Sequence, residues 1–98
     1  LVAADIAGKG SDASVARTHL EYLAKLLSGA SDEIFATPER LKNSLWTYAT
    51  EQGRGAVLWP MRYSLSGRAK SPDPFIIASS IGKEATLARI NAALDLLA

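Results

Sequence analysis

Few side chains in this sequence could take part in covalent chemistry. Its 98 residues contain one histidine, His19, and no cysteine. His19 lies beside Leu20 at the edge of a predicted apolar helix face, where a surface or satisfied-core histidine is more common than a catalyst. The sequence indicates no serine, histidine and aspartate triad around its one histidine, although spacing alone does not exclude one. A zinc site would have to depend on carboxylates. The sequence therefore predicts no catalytic or metal-binding residue.

Three short motifs have simpler explanations than an active site. Gly82-Lys83 lacks the upstream glycine of a phosphate-binding loop, because Ile77 stands at that position. Gly8-Lys9-Gly10-Ser11 likewise follows no glycine-rich strand turn. The acidic pair Asp32-Glu33 falls at a predicted helix start, where the helix dipole stabilises negative charge.

Positive charge is concentrated in one segment. No acidic residue occurs between Gln52 and Pro72, and the basic residues there are Arg54, Arg62, Arg68 and Lys70. The rest of the chain has more acidic than basic residues, although the net charge is +1. This distribution suits a protein that docks a polyanion at one place, and it is equally compatible with an ordinary solvated surface.

The elements that position these charged residues are predicted to be helices, and the first lies near the start of the chain. Between Ser11 and Leu27, apolar residues recur at three- and four-residue steps. Ser11 or Asp12 is expected to cap this helix, and Gly29 to end it in a left-handed turn. The expected buried residues are Val15, Leu20, Leu23, Ala24 and Leu27.

A second helix is expected to begin with Thr37 as its cap and Pro38 in its first turn, and to end at Gly53. Its expected buried face is Leu41, Leu45, Tyr48 and Ala49. Trp46 and Trp59 are interpreted as core anchors rather than base-stacking platforms.

The stretch from Val57 to Leu65 fits either a helix or an alternating strand. Pro60 argues against a regular interior strand, so a helix with Pro60 in its first turn and Gly67 at its end is favoured. Asp73-Pro74 then predicts a short helix that reaches Ile81 and breaks at Gly82. A final amphipathic helix carries Leu87, Ile90, Leu94 and Leu97. The fold class expected is all-α, a small bundle or cage of about five short helices.

The order of motifs in the second half of the chain resembles a known family. Pro60-Met61-Arg62 leads into an apolar run that ends in Ser66-Gly67, and a loop with Ser71-Pro72 follows. Gly82-Lys83-Glu84 and Arg89-Ile90 come next. This succession resembles the C-terminal signature of glutamyl-tRNA synthetases, which are class I aminoacyl-tRNA synthetases. The likeness is strong from Thr37 to Leu97 and weaker from Leu1 to Gly29.

The resemblance implies an all-α anticodon-binding domain whose partner is the anticodon stem-loop of tRNA. It assigns anticodon contacts to Arg62, Ser71, Pro72, Asp73 and Pro74. Arg54, Arg68 and Lys70 would contact the tRNA backbone. A guanidinium can stack on a base and also donate two parallel bonds to its edge, which suits Arg62 to base reading. The alternative for Arg62 is a structural guanidinium that binds helix-end carbonyls.

The resemblance also implies a parent enzyme that ligates glutamate to tRNA with ATP and Mg²⁺, with its catalytic domain upstream. The chain starts at Leu1, so we expect a fragment in which residues 1–98 form a single domain, with a leading helix in 1–30 and the signature in 31–98. The resemblance is compatible with a parent enzyme that charges tRNA-Glu alone and with one that also charges tRNA-Gln. We expect a cytoplasmic protein, because no stretch approaches the ~18 apolar residues of a membrane span and the start lacks the basic residues of a signal peptide. We also expect a monomer. The competing hypotheses are a helical protein-interaction domain with a basic docking segment and a complete small enzyme.

Overall fold

The computed structural model describes residue 6, residues 12–67 and residues 73–97. In this part of the chain the secondary structure is entirely helical, with no strand. The elements are α1 (Ala13–Ser28), a 3-10 helix (Asp32–Phe35), α2 (Pro38–Gln52), α3 (Arg54–Ser66) and α4 (Pro74–Leu97). The prediction of a small all-α bundle is confirmed.

The starts of α1 and α2 follow the predicted capping residues. The carboxylate of Asp12 accepts a hydrogen bond from the Val15 amide at 2.9 Å. The hydroxyl of Thr37 accepts one from the Arg40 amide at 3.2 Å, with Pro38 in the first turn. Each bond satisfies an amide that has no partner within its helix.

The predicted left-handed turn at Gly29 is wrong. Gly29 has φ −85° and ψ −6°, close to helical values, and its amide bonds to the carbonyl of Lys25 at 3.3 Å. The chain then tightens, because the Ala30 amide bonds to the Leu27 carbonyl at 3.2 Å. A continued right-handed turn of this kind satisfies the Lys25 and Leu27 carbonyls without positive φ.

Helix α3 begins earlier than the sequence indicates. The Val57 amide bonds to the Gly53 carbonyl at 3.1 Å, so the first turn starts at Arg54 and Pro60 lies in the second turn. A proline there removes one intrahelical donor. Val57 and Pro60 are buried, and so is Met61. We attribute the helical conformation to this packing, which outweighs the missing bond.

Two glycines produce the changes of direction around α3 and α4. Gly67 ends α3 in the left-handed region at φ 70°, and its amide bonds to the Tyr63 carbonyl at 2.7 Å. Gly82 divides α4 into segments 74–81 and 83–97 with φ 87° and ψ 173°, a conformation nearly restricted to glycine. Both breaks were predicted. Across the second break, the Thr86 hydroxyl donates to the Ala78 carbonyl at 3.5 Å.

The core lies where α1, α2 and α3 pack against α4. Most residues expected on the buried faces are fully or partly buried. Val15 is an exception, because it is 38% exposed and the neighbouring Ala16 occupies the buried position. Trp46 and Trp59 are only partly buried, so neither is a full core anchor. Ile6 is completely buried in the same core.

His19 is a satisfied core residue. It is 5% exposed, and its Nδ1 is hydrogen-bonded to the Tyr48 hydroxyl at 2.7 Å. Burial lowers the pKa of His19 below 6.5. Tyr48 also stacks on Tyr22 with ring centroids 3.8 Å apart, and burial followed by the charge of Tyr22 raises the pKa of Tyr48. These contacts join α1 to α2 and account for the single histidine structurally.

Candidate nucleic-acid interface

Arg62 has an unsatisfied donor within a partly buried side chain. It lies in the last turns of α3, five residues before the helix-ending Gly67. Its Nε is buried and has no hydrogen-bond partner among the residues that the structure describes. A buried donor without a partner costs free energy in the unbound protein, so such groups are rare. A ligand would contact Arg62 through the exposed part of its side chain, because the Nε itself is buried.

Arg89 makes a helix-end bond of the kind considered as the alternative role for Arg62. The guanidinium of Arg89 donates from Nη1 to the Leu65 carbonyl at 2.5 Å, and Leu65 lies in the last turn of α3. Lys83 similarly donates to the Ala30 carbonyl at 2.8 Å, just beyond α1. Cations at these helix ends also interact favourably with the negative end of the helix dipole. Arg62 makes no such bond to any residue that the structure describes.

Asp73 and Pro74 have local roles at the start of α4. The Asp73 carboxylate accepts a hydrogen bond from the Phe75 amide at 2.7 Å, while the residue itself is exposed. Pro74 is the first residue of the helix and is buried, so little of its ring is available to RNA. Their assignment as anticodon contacts stays a prediction.

Four of the predicted RNA contacts lie outside the described residues. These are Arg68, Lys70, Ser71 and Pro72. Within the described ranges, no group of three or more histidine or acidic side chains could hold a metal ion. Nor does any helix in those ranges have the length and apolar character to cross a membrane.

Arg54 belongs to a cluster that the sequence did not predict. It is the first residue of α3, and its guanidinium carbon lies 4.9 Å from the centre of the Trp46 ring on α2. The Lys42 ammonium, one turn before Trp46, is 4.6 Å from the same ring. We call Lys42, Trp46 and Arg54 the Trp46 cluster. The i, i+4 spacing of Lys42 and Trp46 was the available signal, but the arrival of Arg54 depends on how α3 follows α2.

The chain is similar to known proteins over most of its length. Residues 3–94 match the family model described as the anticodon binding domain. The chain is 48% identical over 52 residues to the glutamate–tRNA ligase of Christiangramia forsetii, covering 53% of the chain and 10% of that protein. It is 36% identical over 78 residues to the ligase of the same name from Flavobacterium johnsoniae, covering 80% and 15% respectively.

A third relative, the glutamate–tRNA ligase of Clostridium acetobutylicum, is 36% identical over 62 residues, which are 60% of the chain and 13% of that protein. The chain therefore spans only a small part of the length of these relatives. No solved structure gives a significant match. Because the family model covers most of its length, the chain belongs to the anticodon-binding domain family, and it is similar to segments of glutamate–tRNA ligases.

Proposed function

We propose that this chain recognises the anticodon of a tRNA as part of a glutamate–tRNA ligase. Family membership and the three similar ligases support the proposal. The structural observation that carries it is the partly exposed Arg62 side chain in the acid-free part of the chain, whose Nε has no hydrogen-bond partner among the described residues. An RNA base edge or phosphate would offer acceptors to the terminal N–H groups of this side chain.

The physical role of Arg62 would be to bind and orient a base. Partial burial restricts the side chain, so less rotamer entropy is lost when RNA binds. The guanidinium plane can stack on an unpaired base while its N–H groups bond to the base edge. Anticodon bases are unpaired in a loop and are therefore accessible to this kind of contact. The chain would raise the rate of aminoacylation by positioning tRNA, with the chemistry performed elsewhere in the parent.

For the parent we propose a cytoplasmic, monomeric ligase that joins glutamate to tRNA-Glu with ATP and Mg²⁺. Its catalytic domain would lie upstream of this chain. The small share of each relative that the chain spans is compatible with this division of labour. The isolated chain, supplied with glutamate, ATP and tRNA, should give no charged product.

The proposal is tested by binding a fluorescent anticodon stem-loop of tRNA-Glu and following its anisotropy. The same stem-loop with its anticodon bases replaced measures discrimination. Arg62→Ala should reduce discrimination by about 1–3 kcal/mol. Arg17→Ala is the matched control, because Arg17 is an exposed α1 cation whose ion pair with Glu21, 3.1 Å long, is expected to contribute little.

Equal affinity of the wild-type chain for both stem-loops would contradict anticodon recognition. Failure to bind either RNA, together with binding to an acidic peptide, would instead favour the protein-interaction hypothesis. If the Arg62→Ala variant unfolds but keeps its preference for the cognate stem-loop, Arg62 has a structural role.

A further inference from the structure

The Trp46 cluster brings two cations to one indole ring at the junction of α2 and α3. The side chains of Lys42 and Arg54 are exposed, whereas Trp46 is partly buried. Contact with the ring at 4.6 Å and 4.9 Å restricts two flexible side chains before any ligand arrives. Restricted cations lose less conformational entropy on binding an anion than free ones do.

Neither cation has an acidic partner among the described residues. The ion pair found in that part of the chain, Arg17–Glu21, lies on α1. Arg54 is also the first residue of α3, whose start has no side-chain cap and no acidic residue in its first turn. A cation at that end of a helix is opposed by the helix dipole, so neither the dipole nor a counter-ion explains its position. An incoming anion would relieve this accumulation of positive charge.

We propose that the Trp46 cluster binds a phosphate of the RNA backbone, next to the bases read at Arg62. This inference rests on the proposed function, because it takes the same RNA as the ligand. Arg54 and Arg62 are both on α3, and eight residues of helix correspond to a rise of about 12 Å. At about 3.4 Å per nucleotide along a stacked strand, that distance is on the order of three nucleotides. The cluster would therefore position the strand without reading sequence.

The experiment measures stem-loop binding over a series of salt concentrations for Lys42→Gln, Arg54→Gln and the double variant. Each lost phosphate contact should reduce the slope of log K against log salt by about 0.7–0.9. Affinity should fall by the same factor for the cognate stem-loop and for the one with replaced anticodon bases. Lys42→Arg retains the charge and should retain the wild-type slope. Arg17→Gln, which removes one exposed α1 cation, should leave the slope unchanged.

Failure of this inference is distinguishable from failure of the proposed function. If the wild type prefers the cognate anticodon while the Lys42 and Arg54 variants behave like Arg17→Gln, the cluster does not bind phosphate and the inference is overturned. If the variants lose base preference rather than salt dependence, the cluster reads bases and the inference is again overturned. Wild-type binding without anticodon preference contradicts the proposed function alone. Polyglutamate binding that depends on Lys42 and Arg54, in place of RNA binding, would identify an acidic protein partner and overturn both.

Discussion

Replacing Arg62 by methionine should stabilise the free protein and at the same time impair RNA recognition. The buried Nε of Arg62 has no partner within the described ranges, and an unsatisfied buried donor costs about 1–3 kcal/mol. Methionine keeps an unbranched apolar stem of similar reach and removes the donor, while some van der Waals contact of the guanidinium is lost. We therefore expect Arg62→Met to raise the free energy of unfolding by about 1 kcal/mol. For a domain of this size that corresponds to an increase in Tm of about 4–8 °C.

The same substitution should weaken the preference for the cognate anticodon by about 1–3 kcal/mol, between about fivefold and about 150-fold. Urea denaturation gives the stability, and anisotropy with cognate and altered stem-loops gives the preference. Arg17→Met serves as the control for removal of one arginine from an exposed site. Destabilisation by about 2 kcal/mol or more with unchanged preference would show that the guanidinium supports the fold, and the reasoning would be refuted.

Three further variants test the structural framework. Gly82→Ala should lower the free energy of unfolding by about 1–3 kcal/mol, measured by urea denaturation. The cost would come from backbone strain alone, because the new Cβ would meet no atom within 4 Å. An unchanged midpoint of the urea transition would contradict this. Burial lowers the pKa of His19, so the unfolded chain is protonated first as the pH falls, and stability should be full above about pH 6.5 and decline below it. His19→Gln should remove this part of the decline, and an unaltered pH dependence would show that other groups cause it. Arg89→Ala should lower stability by about 1 kcal/mol through loss of its bond to the Leu65 carbonyl, without changing RNA base preference.

Features set by neighbouring residues could be predicted from the sequence. Thr37-Pro38 started a helix and Gly67 ended one, because each depends on a local hydrogen bond or a dihedral angle that few residues tolerate. Gly82 broke α4 for the same reason. The early start of α3 could not be predicted in this way. Gly55 weakens the helical signal of Arg54 and Ala56, and we attribute the helical conformation of this turn to packing of the residues that follow.

The candidate site was only partly predictable. The family resemblance indicated Arg62, but the missing partner of its Nε depends on how the whole bundle packs. Two cations on the Trp46 ring come from different helices, so no spacing within α2 could reveal both. Arg89 and Lys83 also illustrate the limit, because their carbonyl partners are 24 and 53 residues away in sequence.

The most direct test of the central claim is a residue-by-residue map of the RNA contact. Backbone amide chemical shifts of the isotopically labelled chain, recorded by NMR while the tRNA-Glu anticodon stem-loop is added, provide it. We predict that the largest shifts occur in α3 around Arg62 and at its junction with α2, with small changes around Tyr22 on α1. Largest shifts on the exposed face of α1, with α3 unchanged, would contradict the account.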